Sequence, residues 1–515
     1  MFDQSDKKMI KDAGIVGVLT VTSRILGFVR DAIVAMLLGA GFYSDAFLAA
    51  LRIPDLFRKF FSDGALSISF IPVFTKLLMR EGSEYAFDMA RSALILISAG
   101  GVLFLLCFIA FTQIFFAEPD LTITLSNIMM PYVISVCILS IFMGILNSMG
   151  HFAAPASAPI ILNLTIIFFA VFFSPLSESP AVIMAWGVTT GGILQLAIQI
   201  PFIVRSGFKF CGKVILQHPD TILAFKMMLP AVIGIAPLQI NMLVATFMAS
   251  SMTSVFFQGS VSYLYYADRL VQFPLGLFAF SVSTSIFPVL SRAVASHDLG
   301  RASSIFTRGV RMVLFIMIPS MAGLAVLREP IVALLFNHGA FDINDVNSTA
   351  MVLLFFCLGM WAFAGARLFV TLFYALSNVR TPLIGGLISI SSNILLSFVL
   401  MDKMGVYGLA LSISIAAILN FCFLIRSAAI IEFEFPWREI SGTACRSFFF
   451  SAIMYVVVDR AAEYICPVFS TDKYILLSGV VVCVMLGVSV FGGLGLLFKV
   501  PELMFLKKSY TPHQS

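Results

Sequence analysis

The stretch that decides the fold is SRILGFVRDAIVAMLLGAGFYSDAFLAALRIPDLFRKFFSDGALSISFIPVFTK, from Ser23 to Lys76. Basic side chains lie within or beside its apolar runs, which are long enough to cross a bilayer, a distance of about 20 helical residues. A charged side chain at mid-depth costs roughly 2.5 kcal/mol or more, so ionisable groups there usually face a water-filled cavity. The stretch therefore predicts two helices that line a cationic central cavity. The basic residues within or beside these apolar runs are Arg24, Arg30, Arg52, Arg58 and Lys59.

The composition of the whole chain is that of a membrane protein. Of its 515 residues, 60% are hydrophobic and 11% are charged, whereas a soluble domain is about 25% charged. Apolar segments recur along the full length, and about 14 of them reach the length of a membrane span. The polar N-terminus shows no cleavage signal, so the first helix is expected to stay in the protein. The sequence predicts an all-α polytopic membrane protein.

The 32 Lys and Arg residues are unevenly distributed between the connections. By our assignment of spans, one set of alternate connections carries most of them, and the other set holds only Arg328, Lys403, Arg460 and Lys473. Positive charge concentrates on the cytoplasmic side of membrane proteins. Both termini are therefore predicted to be cytoplasmic, with an even number of spans. This distribution accounts for the net charge of +5 without a nucleic-acid partner.

An internal repeat predicts two related halves. SISFIPVFTK (Ser67–Lys76) aligns without gaps with STSIFPVLSR (Ser283–Arg292). We expect two pseudo-symmetric six-helix bundles, one in 1–205 and one in 206–430, with two extra C-terminal helices in 431–515. Because six is even, the repeat is parallel, and transporters of that kind place their substrate between the halves near mid-membrane. The long second and eighth spans contain proline, so kinks or breaks are expected there.

Charges on the second span are spaced to meet one another. Asp55 lies three residues from Arg52 and from Arg58 and four from Lys59, and Lys59 lies four from Asp63. Residues three and four apart are neighbours on a helix surface. Partial pairing would lower the cost of insertion while leaving a surplus of positive charge. On the first span, Arg24 and Asp31 are a further candidate pair.

A cluster of arginines suits a phosphate or pyrophosphate better than a small neutral solute. The planar guanidinium donates paired hydrogen bonds to oxyanions and stays charged in poor solvent. Structural interpretations remain open beside this one. Arg58 and Lys59 can snorkel to the headgroups, and Arg52 can serve only to hold Asp55. Arg30 is cytosolic if the first span begins one residue after it.

Four other charged residues can likewise be interpreted either as structural or as functional. Asp45 is either the periplasmic cap of the second span or a gate residue. Asp268 and Arg269 in YYADRL are either a self-neutralising pair or part of the cavity. Arg367 is either a packing or hinge residue or a ligand.

Enzymatic chemistry has no support in the sequence. The chain contains no G-x-x-x-x-G-K-[ST], H-E-x-x-H or G-x-S-x-G motif, so we expect no catalytic residue, no metal site and no cofactor. The eight cysteines are scattered, mostly within apolar runs, and are interpreted as small buried hydrophobes. Without a site for ATP, a coupling ion or the membrane potential is the expected energy source, the latter giving about 2.3 kcal/mol per charge per 100 mV.

Three long motifs resemble the MurJ (MviN) family of lipid II flippases, which belongs to the multidrug/oligosaccharidyl-lipid/polysaccharide exporter superfamily. They are the opening stretch, YYADRLVQFPLG (Tyr265–Gly276) and NVRTPLIGG (Asn378–Gly386). The resemblance implies transfer of undecaprenyl-pyrophosphate-disaccharide-pentapeptide across the bacterial inner membrane by alternating access. It also implies a groove for the lipid tail at the last two spans, contact with membrane lipids, and cell-wall synthesis proteins as partners.

The resemblance also implies roles for individual residues. The family's cavity arginines correspond to Arg24, Arg30, Arg58 and Arg269, and its acidic partners to Asp31, Asp45 and Asp63. Three rival functions remain: a flippase for another polyprenyl-pyrophosphate oligosaccharide, a cation-coupled drug exporter of the same fold, and a scaffold for cell-wall enzymes. A drug exporter would need carboxylates to dominate the cavity, and a scaffold would tolerate neutral replacements of Arg24 and Arg30.

Overall fold

The structure is a computed structural model that describes residues 4–61, 65–116, 120–215, 217–252, 258–430, 435–466 and 473–502. The secondary structure in these ranges is helical, which confirms the predicted all-α class. The chain divides into two compact units. Unit 1 contains residues 1–239 and 338–340, and unit 2 contains residues 240–337 and 341–515. The three-part division predicted from the sequence stays a prediction.

The helices that begin in unit 1 alternate with short connections. They are α1 (Gln4–Leu38), α2 (Phe42–Phe61), α3 (Ala65–Arg80), α4 (Ser83–Phe115), α5 (Leu121–Met129), α6 (Pro131–Ser148), α7 (Ala153–Phe168), α8 (Pro180–Arg205) and α9 (Pro219–Met252), and α7 continues into a π-helical turn at Phe169–Phe173.

The helices of unit 2 follow the same pattern. They are α10 (Ser260–Pro274), α11 (Phe280–Ala295), α12 (Leu299–Val326), α13 (Arg328–Phe336), α14 (Ile343–Ala375), α15 (Arg380–Met404), α16 (Val406–Ala429), α17 (Trp437–Ile465) and α18 (Lys473–Leu497).

Within the described residues, 11 helical segments are long and apolar enough to span a membrane. This number confirms a polytopic protein. The predicted total of about 14 spans stays a prediction, because α1, α2 with α3, and α9 are not among these segments.

Local sequence signals fix several helix ends. The Asp120 carboxylate accepts a hydrogen bond from the Ile123 amide at 2.8 Å, and the Asp298 carboxylate accepts one from the Arg301 amide at 2.9 Å. Asp342 and Asp345 form a capping box at the start of α14. Such caps satisfy amides that have no partner within the helix.

The eighth span is helical without a gap from Ser260 to Ala295 and changes its helix type after Pro274. α10 ends at this residue, and the next turn, Leu275–Ala279, is π-helical. Proline has no amide hydrogen, so it interrupts the helical hydrogen-bond ladder. In the second span, α2 and α3 are separate helices on either side of residues 62–64, which lie outside the described residues. The two repeat segments lie in α3 and α11, which are both 16 residues long and contain Pro72 and Pro288 respectively.

Arg91 of α4 binds the connection that follows α8 and holds it against α4. Its guanidinium pairs with Asp88 one turn earlier and donates to the main-chain carbonyls of Lys209 at 3.0 Å and Lys213 at 3.2 Å. The Arg91 guanidinium lies so close to Gly212 in this connection that any side chain at this position would collide with it. The link into α9 is therefore held against unit 1.

Unit 2 contains a buried network of neutral polar side chains. The Asn241 amide donates to Ser389 Oγ at 2.9 Å, and the Asn393 carbonyl oxygen accepts from Ser412 Oγ at 2.9 Å. Ser397 and Ser412 are joined at 2.7 Å. Buried polar groups are costly unless hydrogen-bonded, so this network ties α9, α15 and α16 together.

Candidate functional site

The two arginines of the first predicted span lie in α1 and have different environments. Arg24 is exposed, and among the described residues it makes no hydrogen bond or ion pair. Arg30 is only 9% exposed and pairs with Asp31, which is 2% exposed. Arg24 therefore carries a positive charge that no carboxylate of the described chain neutralises, while the charge of Arg30 is matched within the protein.

Asp31 pairs with Arg30, and the suggested pair of Arg24 with Asp31 is wrong. Both Nε and Nη2 of Arg30 donate to Asp31 Oδ1, at 3.0 and 2.6 Å. Arg24 and Asp31 are seven residues apart, which is about 10 Å along a helix. The neighbouring guanidinium therefore reaches the carboxylate more easily.

Asn163 of α7 completes this cluster, and no sequence signal pointed to it. Its side-chain oxygen accepts a hydrogen bond from Arg30 Nη1 at 3.1 Å, and its amide nitrogen donates to the carbonyl of Ser23 at 3.2 Å. Asn163 is 6% exposed. The structure thus brings Arg30, Asp31 and Asn163 together in unit 1.

A second charged group lies on α2, as the spacing of its residues predicted. The Asp55 carboxylate pairs with Arg58 at 2.7 Å and with Lys59 at 3.1 Å. Lys59 also donates to the side-chain oxygen of Gln239 at 3.1 Å, a contact that sequence reasoning missed. All three charged side chains are partly exposed, and two cations share this one carboxylate.

The other predicted residues of α2 occupy different positions. Asp45 lies in the first turn and is 4% exposed, and its amide donates to the carbonyl of Gly41 at 2.8 Å. Arg52 is partly buried one turn before Asp55. Asp63 lies outside the described residues, so its predicted role stays a prediction.

The predicted residues of unit 2 lie on α10 and α14. Asp268 accepts a hydrogen bond from the Gln272 amide at 2.5 Å, and the Arg269 guanidinium lies 5.8 Å from the ring centre of Tyr265. Arg367 on α14 stacks on Phe280 at 3.6 Å. Phe280 directly follows the π-helical turn. Stacking on its ring stabilises the positive charge of Arg367.

A third polar cluster, the Arg311 cluster, was not foreseen. Arg311 of α12 pairs with Glu439 of α17 and, at 2.8 Å, with Glu502, which follows α18 and also accepts from Thr443 at 2.5 Å. Burial alone raises the pKa of Glu502, but hydrogen bonds from Thr443 and Arg311 outweigh it and hold the pKa below its usual value. The cluster fastens the last two helices to α12.

No group of three or more His, Cys, Asp or Glu side chains that could hold a metal ion occurs within the described ranges. The guanidinium and ammonium groups on α1 and α2 can bind anions through charge and directed hydrogen bonds. These groups lie on helices whose surroundings are apolar. This combination, with the many spanning helices, defines a multi-pass membrane transporter.

The family follows from comparison with known proteins. A family model described as "Lipid II flippase MurJ" matches residues 34–478. The chain belongs to this family, which confirms the resemblance seen in the sequence. A protein of Vibrio cholerae serotype O1 named "Probable lipid II flippase MurJ" is 35% identical over 445 residues, covering 82% of this chain and 83% of its own. A Haemophilus influenzae protein of the same name is 32% identical over 441 residues, covering 80% and 84%.

Solved structures agree with this assignment. A lipid II flippase MurJ in an inward closed conformation superimposes with a TM-score of 0.77 at 27% identity, covering 94% of this chain and 98% of that one. An inward-facing multidrug transporter of the MATE family gives a TM-score of 0.65 at 14% identity, covering 84% and 98%. At that identity the second match shows a shared fold only.

Proposed function

We propose that this protein is a lipid II flippase, which moves undecaprenyl-pyrophosphate-disaccharide-pentapeptide from the cytoplasmic to the periplasmic leaflet of the bacterial inner membrane. Membership of the family supports the substrate class. The observation that carries the proposal is Arg24, an exposed guanidinium on a predicted membrane helix without an acidic partner among the described residues. A mid-span charge of this kind usually serves a transported group.

The substrate poses a physical problem that such a site solves. A pyrophosphate that leaves water for hydrocarbon loses its hydration, and an unpaired charge in a medium of low dielectric is very unfavourable. A hydrated cationic pocket on α1 and α2 replaces that hydration with guanidinium hydrogen bonds. The polyprenyl tail, which is apolar, can stay in the lipid throughout.

Each charged group would contribute differently to binding. Arg24 would meet the anion directly. Arg58 and Lys59, with Asp55 between them, would supply a surplus charge that is strong enough to attract a phosphate and weak enough to release it. Arg30 is already paired with Asp31, so it would contribute mainly by fixing the shape of the site. Arg52 on α2 and Arg269 on α10 would be further substrate-binding side chains, and Asp45 and Asp268 would serve as charge partners or gate residues.

The proposal includes an orientation and an energy source. Both termini would be cytoplasmic, as the distribution of Lys and Arg predicts. Alternating access would be driven by the membrane potential or by a coupling ion. Exposed Cys211, in the connection before α9, offers a test of the orientation. An impermeant thiol reagent should label it only from the cytoplasmic side.

A transfer assay in proteoliposomes tests the function. Purified protein is reconstituted with fluorescent lipid II, and the fraction that becomes accessible to a membrane-impermeant quencher is followed with time. The same liposomes are prepared with another undecaprenyl-pyrophosphate oligosaccharide and, separately, loaded with a cationic drug. We expect transfer of lipid II above the rate in protein-free liposomes, faster than that of the other glycolipid.

Each rival function gives a different result in this assay. Equal transfer of both glycolipids would indicate a flippase of broader substrate range and overturn the assignment to lipid II. Drug efflux without lipid transfer would indicate a cation-coupled exporter. Protein that inserts and folds but transports neither would favour a scaffold that gathers cell-wall enzymes.

A further inference from the structure

Asn163 joins two turns of α1 to α7. Its side-chain oxygen accepts from Arg30 and its amide nitrogen donates to the carbonyl of Ser23, at 3.1 and 3.2 Å. Ser23 and Arg30 are seven residues apart, which is about two turns of helix, so both lie on the side of α1 that faces α7. One buried side chain therefore holds α1 at two levels.

The chemistry of these contacts requires an amide. A carboxamide has both a donor and an acceptor end, and here each end has the partner it needs. A carboxylate could accept from Arg30 but would bring an oxygen against the Ser23 carbonyl. An aliphatic side chain of the same size would satisfy neither, and a buried polar group without a partner is destabilising.

The Ser23 contact bears on the neighbouring residue. Arg24 follows Ser23 directly and lies about 100° further around the helix, on an exposed side of α1. Any rotation of α1 about its axis would therefore change the direction in which the Arg24 side chain points. A hydrogen bond at Ser23 and another at Arg30 oppose that rotation.

We propose that Asn163 is a positioning residue of the anion site, which fixes the rotation of α1 and so the direction of Arg24. This inference rests on the proposed function, because it assigns to Arg24 the contact with the pyrophosphate. Asn163 itself does not touch the substrate. It acts through Ser23 and Arg30, and neither α1 nor α7 supplies a second side chain that makes both contacts among the described residues.

A comparison of four variants tests the proposal. Asn163→Leu removes both contacts, Asn163→Asp keeps an acceptor for Arg30 and loses the donor to Ser23, and Asn163→Gln keeps both functions on a longer side chain. Thr165→Val is the matched control, since Thr165 lies on the same helix, is similarly buried, and its hydroxyl donates to the Ile161 carbonyl of its own helix at 2.8 Å.

The measurement is the initial rate of lipid II transfer as a function of its mole fraction in the proteoliposomes. Asn163→Leu should raise the apparent KM about tenfold with a much smaller change in the maximal rate, because a hydrogen bond to a charged group contributes about that much. Asn163→Asp should behave similarly, Asn163→Gln should recover part of the loss, and Thr165→Val should match the wild type. A general loss of structure would instead lower the maximal rate and the melting temperature.

Binding separates this inference from the proposed function. If wild-type liposomes do not transfer lipid II, the proposed function fails, and the Asn163 variants are then compared by native mass spectrometry with undecaprenyl pyrophosphate as the probe. Weaker retention by Asn163→Leu than by Thr165→Val supports the positioning role. Equal KM values in transfer, or equal retention where only binding can be measured, for Asn163→Leu, Thr165→Val and wild type would overturn it.

Discussion

The main-chain amide of Ala340 donates a hydrogen bond of 2.9 Å to the carbonyl of Met36. Residues 338–340 thereby pack with unit 1, although their neighbours on both sides along the chain belong to unit 2. Two glycines permit the approach. Gly39 and Gly339 have φ values of +64° and +60°, and any side chain on either would meet the main chain of Ala340 or Met36.

Alanine at these two glycines should be more destabilising than at a glycine with the same backbone conformation and free space. Gly150 has a φ of +79° and no atom within 4 Å of the position that a Cβ would occupy, so Gly150→Ala measures backbone strain alone, about 1–2 kcal/mol. Gly39→Ala and Gly339→Ala add a collision with main-chain atoms. Melting temperatures in detergent should fall further for both than for Gly150→Ala. Equal shifts in all three would show that the contact is not tightly packed.

Arg24→Ala should abolish lipid II transfer while the protein still inserts and folds. Removal of the guanidinium leaves the pyrophosphate without its direct counter-charge, and Arg24→Lys should restore only part of the rate because an ammonium lacks the paired donors. Thr22→Ala is the control, since Thr22 is exposed on the same helix and donates only to the Val18 carbonyl, at 2.9 Å, among the described residues. Transfer at the wild-type rate by Arg24→Ala would remove the basis of the proposed function.

Glu502→Gln should loosen the Arg311 cluster in a manner that depends on pH. Since the folded state lowers the pKa of Glu502, the carboxylate contributes stability above the ordinary glutamate pKa of about 4.3, and this contribution is lost as pH falls through the lowered value. The variant should therefore melt below the wild type at pH 7, and the difference in melting temperature should close as the pH falls through this lowered pKa.

Glu463→Gln is the matched control for that series, because Glu463 is an exposed acid on α17 whose partner, Arg460, is also exposed. Exposed pairs contribute little, about 0–1 kcal/mol. It should melt close to the wild type throughout the same pH range. A gap for Glu502→Gln that stays constant with pH would contradict an ionised Glu502.

Cys466 should resist alkylation in the folded protein. Burial and the nearby Cys483 thiol, whose sulfur lies 3.7 Å away, raise the pKa of Cys466 to about 12, and the thiolate is the reactive form. With maleimide at neutral pH, mass spectrometry should find exposed Cys211 labelled and Cys466 labelled only after denaturation. Labelling of both at comparable rates would show that the end of α17 opens readily.

Contacts between residues of the same helix could be predicted from the sequence. The spacing of Asp55, Arg58 and Lys59 predicted their pairing, because residues three and four apart on a helix are neighbours whatever surrounds it. The irregular turn after Pro274 likewise lies where a proline without an amide hydrogen was expected to disturb the helix. Composition alone established a multi-spanning helical protein, since few soluble folds could bury so much apolar surface.

Contacts between helices were decided only by the tertiary structure. Asn163 and Gln239 reach Arg30 and Lys59 from distant positions in the chain, and Arg311 reaches Glu502 in the same way. Nothing in the spacing of these residues distinguishes them from other polar side chains in apolar helices. The sequence thus determined the charge patterns along each helix. How the helices pack side by side determined which of those charges are paired, and that Arg24 has no acidic partner among the described residues.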